Sequence, residues 1–170
     1  MNKAIFLDRD GTINVDYGYV HSISKFEFLK NSIEGLKILN DLGYKLVIIT
    51  NQSGIGRGYY TIDDYNKLNN YMLEKLGEFG INIAKVYMCP HISSDNCNCR
   101  KPKLELFYKA IKELNIDTSN SFAIGDRERD LAICNVEDVS GILLTSDTSD
   151  KYICKNDLLD AAKYIKKINR

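Results

Sequence analysis

Asp8 and Asp10 come directly after the apolar run Ala4-Ile5-Phe6-Leu7, and Asp126 and Asp130 come after Phe122-Ala123-Ile124-Gly125. Carboxylates placed just past buried strands are costly unless something cationic meets them, and a hard divalent ion is a fitting partner. In Asp8-Arg9-Asp10-Gly11-Thr12 the two acids stand two residues apart, before a glycine that lets the chain turn sharply. Such a pair can share Mg²⁺ while one carboxylate attacks phosphorus; the other then protonates the leaving oxygen and takes a proton from water. An ordinary Asp ionises near pH 4 (about 3.9), so a proton donor here needs burial or neighbouring charge to raise it. The same string also reads as a solvated strand end with turn-forming residues. These residues point to a phosphate-handling metal site.

Val47-Ile48-Ile49-Thr50-Asn51-Gln52-Ser53-Gly54 puts a hydroxyl and then amides at the end of another apolar run. With the backbone N–H groups of a glycine-bearing turn, they can hold phosphate oxygens without adding charge. Arg100-Lys101-Pro102 adds fixed positive charge, and a lysine that faces both a nucleophilic carboxylate and a phosphoryl oxygen would lower the barrier electrostatically. Gly125-Asp126-Arg127 would complete the metal site through Asp126, with Asp130 steadying it from the next turn. Cys89-Pro90-His91 followed by Cys97-Asn98-Cys99 forms a second set. Three thiolates and an imidazole satisfy tetrahedral Zn²⁺ and leave no open position, so this is read as a structural site that pins a loop and positions Arg100 and Lys101. No C-x-x-C pair is present to support redox chemistry.

These groups need a scaffold. Short β-branched runs at Ala4 to Leu7, Lys45 to Ile49, Lys85 to Met88, Phe122 to Ile124 and Gly141 to Leu144 alternate with stretches of helical spacing. That alternation predicts a parallel sheet with crossover helices. The first helix is expected from Ser32 as N-cap to Gly43, and the second from Thr61 with Asp63 and Asp64 to Gly80. A third is expected around Leu104 to Leu114, a short one near Asp130 to Cys134, and a last one from Asn156 to Ile168. Open α/β sheets bind ligands at the carboxyl ends of their strands, where Asp8, Thr50, Cys89 and Asp126 all fall.

At 170 residues the chain suits a single domain, residues 1–170, with a full core and no need of disulfides. Hydrophobic residues make up 44% and charged residues 27%, and 23 Lys plus Arg balance 23 Asp plus Glu, so no net charge points to nucleic acid or an anionic membrane. No long apolar span or leader-like start is visible, which predicts a cytoplasmic protein. Of five cysteines, three crowd beside His91, and Cys134 and Cys154 read as unpaired, partly buried thiols.

Taken together, the motifs from Ile5 to Asp130 resemble the haloacid dehalogenase superfamily of phosphohydrolases, whose members carry D-x-D-x-T, a Thr or Ser, a Lys and an acidic G-D motif in this order. The resemblance implies a Rossmann-like three-layer sandwich with a central parallel sheet, without a cap domain and with a zinc-binding loop. It makes Asp8 the nucleophile, Asp10 the general acid and base, and Thr50 and Lys101 the phosphoryl stabilisers. Mg²⁺ would be held by Asp8, Asp126 and the backbone carbonyl of Asp10. The C-P-H to C-x-C-R-K-P segment is similar to the branch that holds the D-glycero-D-manno-heptose 1,7-bisphosphate phosphatases and the histidinol-phosphate phosphatases. Within it, Asn51 to Thr61 and Asp16 to Val20 resemble the heptose enzymes. By that resemblance Asp16, Tyr17, Gly18, Tyr19, Thr50, Asn51, Gln52, Ser53, Arg100, Lys101 and Arg127 contact a sugar bisphosphate. The implied partner is a small phosphorylated metabolite, met by a monomer. Histidinol phosphate is the nearest alternative, since the short zinc loop also fits that branch and Arg127 stands where heptose enzymes often have Lys. A polynucleotide 3′-phosphatase and a non-catalytic zinc-stabilised binding module are the further alternatives.

Overall fold

The computed structural model describes residues 1–169. Six strands form one all-parallel sheet: β1 (Ala4–Leu7), β2 (Lys45–Asn51), β3 (Ile83–Cys89), β4 (Phe122–Gly125), β5 (Ser140–Leu144) and β6 (Ile153–Lys155), in the order β3-β2-β1-β4-β5-β6. Alternate side chains feed two separate cores. Ile5, Leu7, Leu46 and Ile48 face one side, and Ala4, Phe6, Val47 and Ile49 the other. Each buried Val, Leu, Ile or Phe side chain among these contributes about 1.5–3 kcal/mol relative to exposure.

The first face is covered by α1 (Ser32–Asp41), α3 (Ile62–Glu78) and α5 (Leu158–Ile168), through Leu36 and Leu39, Met72 and Leu76, and Leu158 and Ile165. On the second lie α4 (Glu105–Glu113), with Leu106, Phe107 and Ala110, and a 3₁₀ segment, Glu128–Asn135, with Leu131 and Ile133. A one-turn helix, α2 (Ser53–Gly56), follows β2. The result is a three-layer α/β sandwich with a central parallel sheet, as expected. Only loops, a one-turn 3₁₀ segment (Ile23–Lys25), α1 and the first residues of β2 lie between Asp10 and Thr50, so no cap domain is inserted there.

Thr61 caps α3 as expected, its hydroxyl accepting from the Asp64 N–H at 3.1 Å while the Asp64 carboxylate accepts from the Thr61 N–H at 2.9 Å. Gly43 and Gly80 take φ of +83° and +72° where α1 and α3 are expected to end. One N-cap differs from the sequence reading. Ser32 is the first helical residue and is buried, while the cap is Asn31, at φ +69°. Asn31 holds that conformation while its amide donates to Asp157, the cap of α5, at 2.8 Å. β6 and α2 were not expected from the sequence. Cys134 and Cys154 are free and half-buried, as expected. Among the described residues no helix is long and apolar enough to cross a membrane.

Strand order reverses beside β1, whose neighbours are β2 and β4. Residues just past the carboxyl ends of these three strands therefore converge on one spot.

Candidate active site

β1 and β4 run in register, with Leu7 opposite Ile124, so Asp8 and Asp126 emerge side by side. One oxygen each from Asp8, Asp126 and Asp130 lies within 4.8 Å of the others. Gly11 makes this approach possible: it sits at φ +85°, and a Cβ there would fall 2.3 Å from Asp126 Oδ2.

Into this cluster reaches Lys101, only 3% exposed, whose ammonium donates to Asp8 Oδ1 at 2.9 Å, Asp130 Oδ1 at 2.7 Å and the Ile49 carbonyl at 2.6 Å. Burial works against that charge, but the two carboxylates outweigh it and hold the ammonium above its usual range. Asp8 is raised too, which for a carboxylate disfavours the charged form. Burial pushes it up to about 7 against the pull of Lys101, and Asp130 adds to the rise. Asp126 is raised as well, by burial first and then by Asp130. Counted as ionised, three carboxylates against one ammonium leave a formal excess of two negative charges, and among the described residues the buried Asp126 Oδ1 has no hydrogen-bond partner. Hard oxygen donors with that excess suit a divalent cation such as Mg²⁺.

Asp10 is tied differently. Its carboxylate accepts from Arg9 at 2.9 and 3.1 Å, from Asn14 at 3.0 Å and from Gln52 at 3.0 Å. Its side chain therefore stands apart from the three grouped acids, yet it lines the same cleft. Arg9, 1% exposed, also donates to the Val20 carbonyl at 2.7 Å, fastening the loop after β1 beneath the site. Thr50 is fully buried and its hydroxyl accepts from Gln52 at 2.8 Å. The Gln52 amide oxygen in turn accepts from the Tyr60 hydroxyl at 2.5 Å, and His21 stacks on the Tyr60 ring at 4.7 Å.

Asn51 meets the main chain of Lys101 twice, accepting from its N–H at 3.0 Å and donating to its carbonyl at 3.1 Å. The lysine is thus held from the end of β2 as well as through the cysteine loop before it. In that loop Cys89, His91, Cys97 and Cys99 bring their ligand atoms together. Tetrahedral Zn²⁺ with Zn–S of about 2.3 Å and Zn–N of about 2.0–2.1 Å has ligand–ligand edges of about 3.5–3.8 Å. The Cys89–Cys97 and Cys89–His91 edges are 3.7 and 3.6 Å, while the edges from Cys99 to His91 and Cys89 are shorter, at 3.2 and 2.9 Å. The donor set fits zinc once Cys99 withdraws slightly.

Above the acids opens a cleft of about 310 Å³ lined by Asp8, Asp10, Asp16, Gly18, Tyr19, Asn51, Gln52, Ser53 and Tyr60, with arginines 57, 100, 127 and 129 around them. Most residues expected to contact substrate are brought here. Tyr17 is not: its side chain is 59% exposed, its hydroxyl donates to Glu27, and it lines a separate depression. Arg127 reaches back to Asp16 at 3.6 Å. Arg57, Tyr60 and Arg129 were missed by sequence reasoning. An arginine in a turn looks the same in sequence whether it faces a cleft or bulk water, and Tyr60 stands only one residue before a helix cap.

Known proteins share this sequence and this fold. The profile of the family described as polynucleotide kinase 3 phosphatase matches residues 3–154. The D-glycero-β-D-manno-heptose-1,7-bisphosphate 7-phosphatase of Helicobacter pylori J99 is 50% identical over 161 residues, covering 91% of this chain and 92% of that protein. The enzyme of that name from Haemophilus ducreyi is 40% identical, covering 96% and 98%. Among solved structures, the D,D-heptose 1,7-bisphosphate phosphatase of B. bronchiseptica, complexed with magnesium and phosphate, superposes with a TM-score of 0.89 at 26% identity and covers 98% of this chain and 99% of that one. On the strength of the fold, the acid cluster and these matches, the protein belongs to the haloacid dehalogenase superfamily of phosphatases, in the polynucleotide kinase 3 phosphatase family together with the heptose 1,7-bisphosphate 7-phosphatases.

Proposed function

We propose that this chain, acting as one domain, is a Mg²⁺-dependent phosphomonoesterase that removes the 7-phosphate of D-glycero-β-D-manno-heptose 1,7-bisphosphate in the synthesis of nucleotide-activated heptose. The observation that carries the reading is buried Lys101, held between Asp130 and Asp8, the latter lining a cleft that also carries four arginines. Asp8, Asp126 and the backbone carbonyl of Asp10 would hold Mg²⁺, with Asp130 beside them. When bound, the ion offsets charge on the transferring phosphoryl group.

The chain's own residues then divide the work. A carboxylate oxygen of Asp8 attacks phosphorus as the bond from phosphorus to the sugar oxygen breaks, and Asp10, as general acid, delivers a proton to that oxygen. Arg9, Asn14 and Gln52 fix the direction of the Asp10 carboxyl, which is 19% exposed toward the cleft. In the second half Asp10 takes a proton from water, the water oxygen bonds to phosphorus, and Asp8 leaves as carboxylate. Lys101 neutralises Asp8 before attack and faces the equatorial oxygens during transfer, with the Thr50 hydroxyl behind it. The Cys89, His91, Cys97 and Cys99 set would hold a structural Zn²⁺ that keeps Arg100 and Lys101 in place.

Four guanidinium groups along the cleft favour a bisphosphate over the cationic histidinol phosphate. Equal numbers of acidic and basic residues supply no basic track for a polynucleotide, and we place the enzyme as a cytoplasmic monomer acting on a small sugar. Phosphate release from heptose 1,7-bisphosphate and from histidinol phosphate, each with and without Mg²⁺, tests the reading. Magnesium-dependent turnover of the heptose bisphosphate by a margin of at least a hundredfold (~10²) is expected, in keeping with the cost of leaving buried polar groups unmatched. Preference for histidinol phosphate, or no release from either, would overturn it.

A further inference from the structure

Resting on the heptose bisphosphate reading, we propose that Arg129 is a specificity-determining residue that receives the second, non-reacting phosphate of the sugar. The charges of the cleft can be paired off. Lys101 lies against Asp8 at 2.9 Å, Arg9 against Asp10 at 2.9 Å, and Arg127 against Asp16 at 3.6 Å. Among the described residues, Arg57, Arg100 and Arg129 have no carboxylate within 4.0 Å, although all three line the cleft. Three guanidinium groups that line the cleft are therefore left without a carboxylate partner.

Arg129 differs from the other two. Arg57 is exposed and leans over the Tyr19 ring at 5.9 Å, and Arg100 already donates to the His91 carbonyl at 3.4 Å. The Nε of Arg129 is buried and, among the described residues, has no hydrogen-bond partner. A buried guanidinium N–H without an acceptor is costly, and the oxygens of a phosphate dianion are the acceptors that match its fork. Its backbone is well fixed, because it belongs to the 3₁₀ segment whose Asp130 holds Lys101 at 2.7 Å and accepts from the Arg127 N–H at 3.1 Å. The segment that orders the reacting end thus also carries the group that reads the far end.

The test compares wild type and Arg129→Gln on heptose 1,7-bisphosphate and on heptose 7-phosphate, which share the reacting group and differ in the second phosphate. Losing one charge-assisted contact should lower the kcat/KM ratio of bisphosphate to monophosphate about tenfold to a hundredfold, mainly through KM. Heptose 1-phosphate, tested as an inhibitor, should weaken by a similar factor. Arg129→Lys, which keeps charge and loses the fork, should fall between the two, and it carries the test should the Gln variant not fold. Equal losses on both substrates, or unchanged inhibition by heptose 1-phosphate, would contradict the assignment while leaving the phosphatase reading intact. A wild-type enzyme with no activity on the bisphosphate would instead refute the function on which the proposal rests.

Discussion

Replacing Lys101 with methionine keeps an unbranched side chain, one atom shorter, and removes its charge, leaving Asp8 and Asp130 facing each other in a buried pocket. Three hydrogen bonds of 2.6–2.9 Å are lost, to Asp8, Asp130 and Ile49. Breaking a buried ion pair from one side costs about 3–5 kcal/mol, since the abandoned charges stay out of water. For a chain of 170 residues each kcal/mol moves the melting temperature by about 2–4 °C, so the variant should melt roughly 6–20 °C lower. The excess negative charge among Asp8, Asp126 and Asp130 rises from two to three at the same time. Added Mg²⁺ should therefore raise the melting temperature of Lys101→Met more than that of the wild type. Removing this electrostatic partner from the transferring phosphoryl group should also lower kcat by a factor of about 10²–10³ or more. Calorimetry across a magnesium titration and steady-state phosphate release measure both. A variant that melts within 2 °C of wild type (about 1 kcal/mol or less), or keeps a tenth of its kcat (a loss of about 1.4 kcal/mol), would refute the claim that Lys101 neutralises this cluster.

Three further outcomes are expected. Gly11→Ala places a Cβ 2.3 Å from Asp126 Oδ2 at a φ of +85°, so it should cost about 1–3 kcal/mol in chemical denaturation and raise the magnesium concentration needed for half-maximal activity; an unchanged magnesium dependence would argue against Asp126 as a ligand. Cys99→Ser, or a strong chelator, should remove zinc measured by elemental analysis and lower kcat tenfold or more (about 1.4 kcal/mol or above) because Lys101 follows the loop directly; loss of zinc at full activity would show that the loop does not position it. Asp157 is partly buried, which opposes ionisation, but bonds from Asn31 and from the Asp160 and Leu159 N–H groups outweigh this and hold its carboxyl below the usual range. Its contribution is then complete above the unfolded value of about 3.9 and fades as pH falls through the lower folded value, so Asp157→Ala should lose about 1 kcal/mol at neutral pH and less in acid; a deficit that grows with acidification would reverse the sign of the argument.

How much of this was legible in the sequence depends on how local the cause is. The apolar runs before Asp8 and Asp126, and the Thr61 cap with Asp64 three residues on, act over a few residues and were readable as such. Asn31 was not, because its cap-position conformation accompanies a bond to Asp157, 126 residues away. β6 has three half-buried residues and no alternation, and its pairing with Ile142 to Leu144 is what makes it a strand. Ser53-Gly54-Ile55-Gly56 reads as a turn by propensity. It closes into α2 because the Gly56 N–H finds the Pro90 carbonyl at 2.9 Å, and because a Cβ at Gly54 would strike the Tyr60 ring at 2.1 Å. Within the site, the order of the motifs located the acids and Lys101. The pairing of Asp10 with Arg9, the double hold of Asn51 on the Lys101 backbone and the unpartnered Nε of Arg129 come from the packing of distant loops.

Trapping the phosphorylated carboxylate would be the most direct measurement. The enzyme is quenched during turnover, treated with borohydride, which reduces an acyl phosphate to an alcohol, and mapped by peptide mass spectrometry. Conversion of residue 8 to homoserine in the presence of substrate and Mg²⁺, with no conversion and no turnover in Asp8→Asn, is the predicted result. Reduction at Asp10 or Asp126 instead, or turnover persisting in Asp8→Asn, would contradict the assignment of Asp8 as the nucleophile.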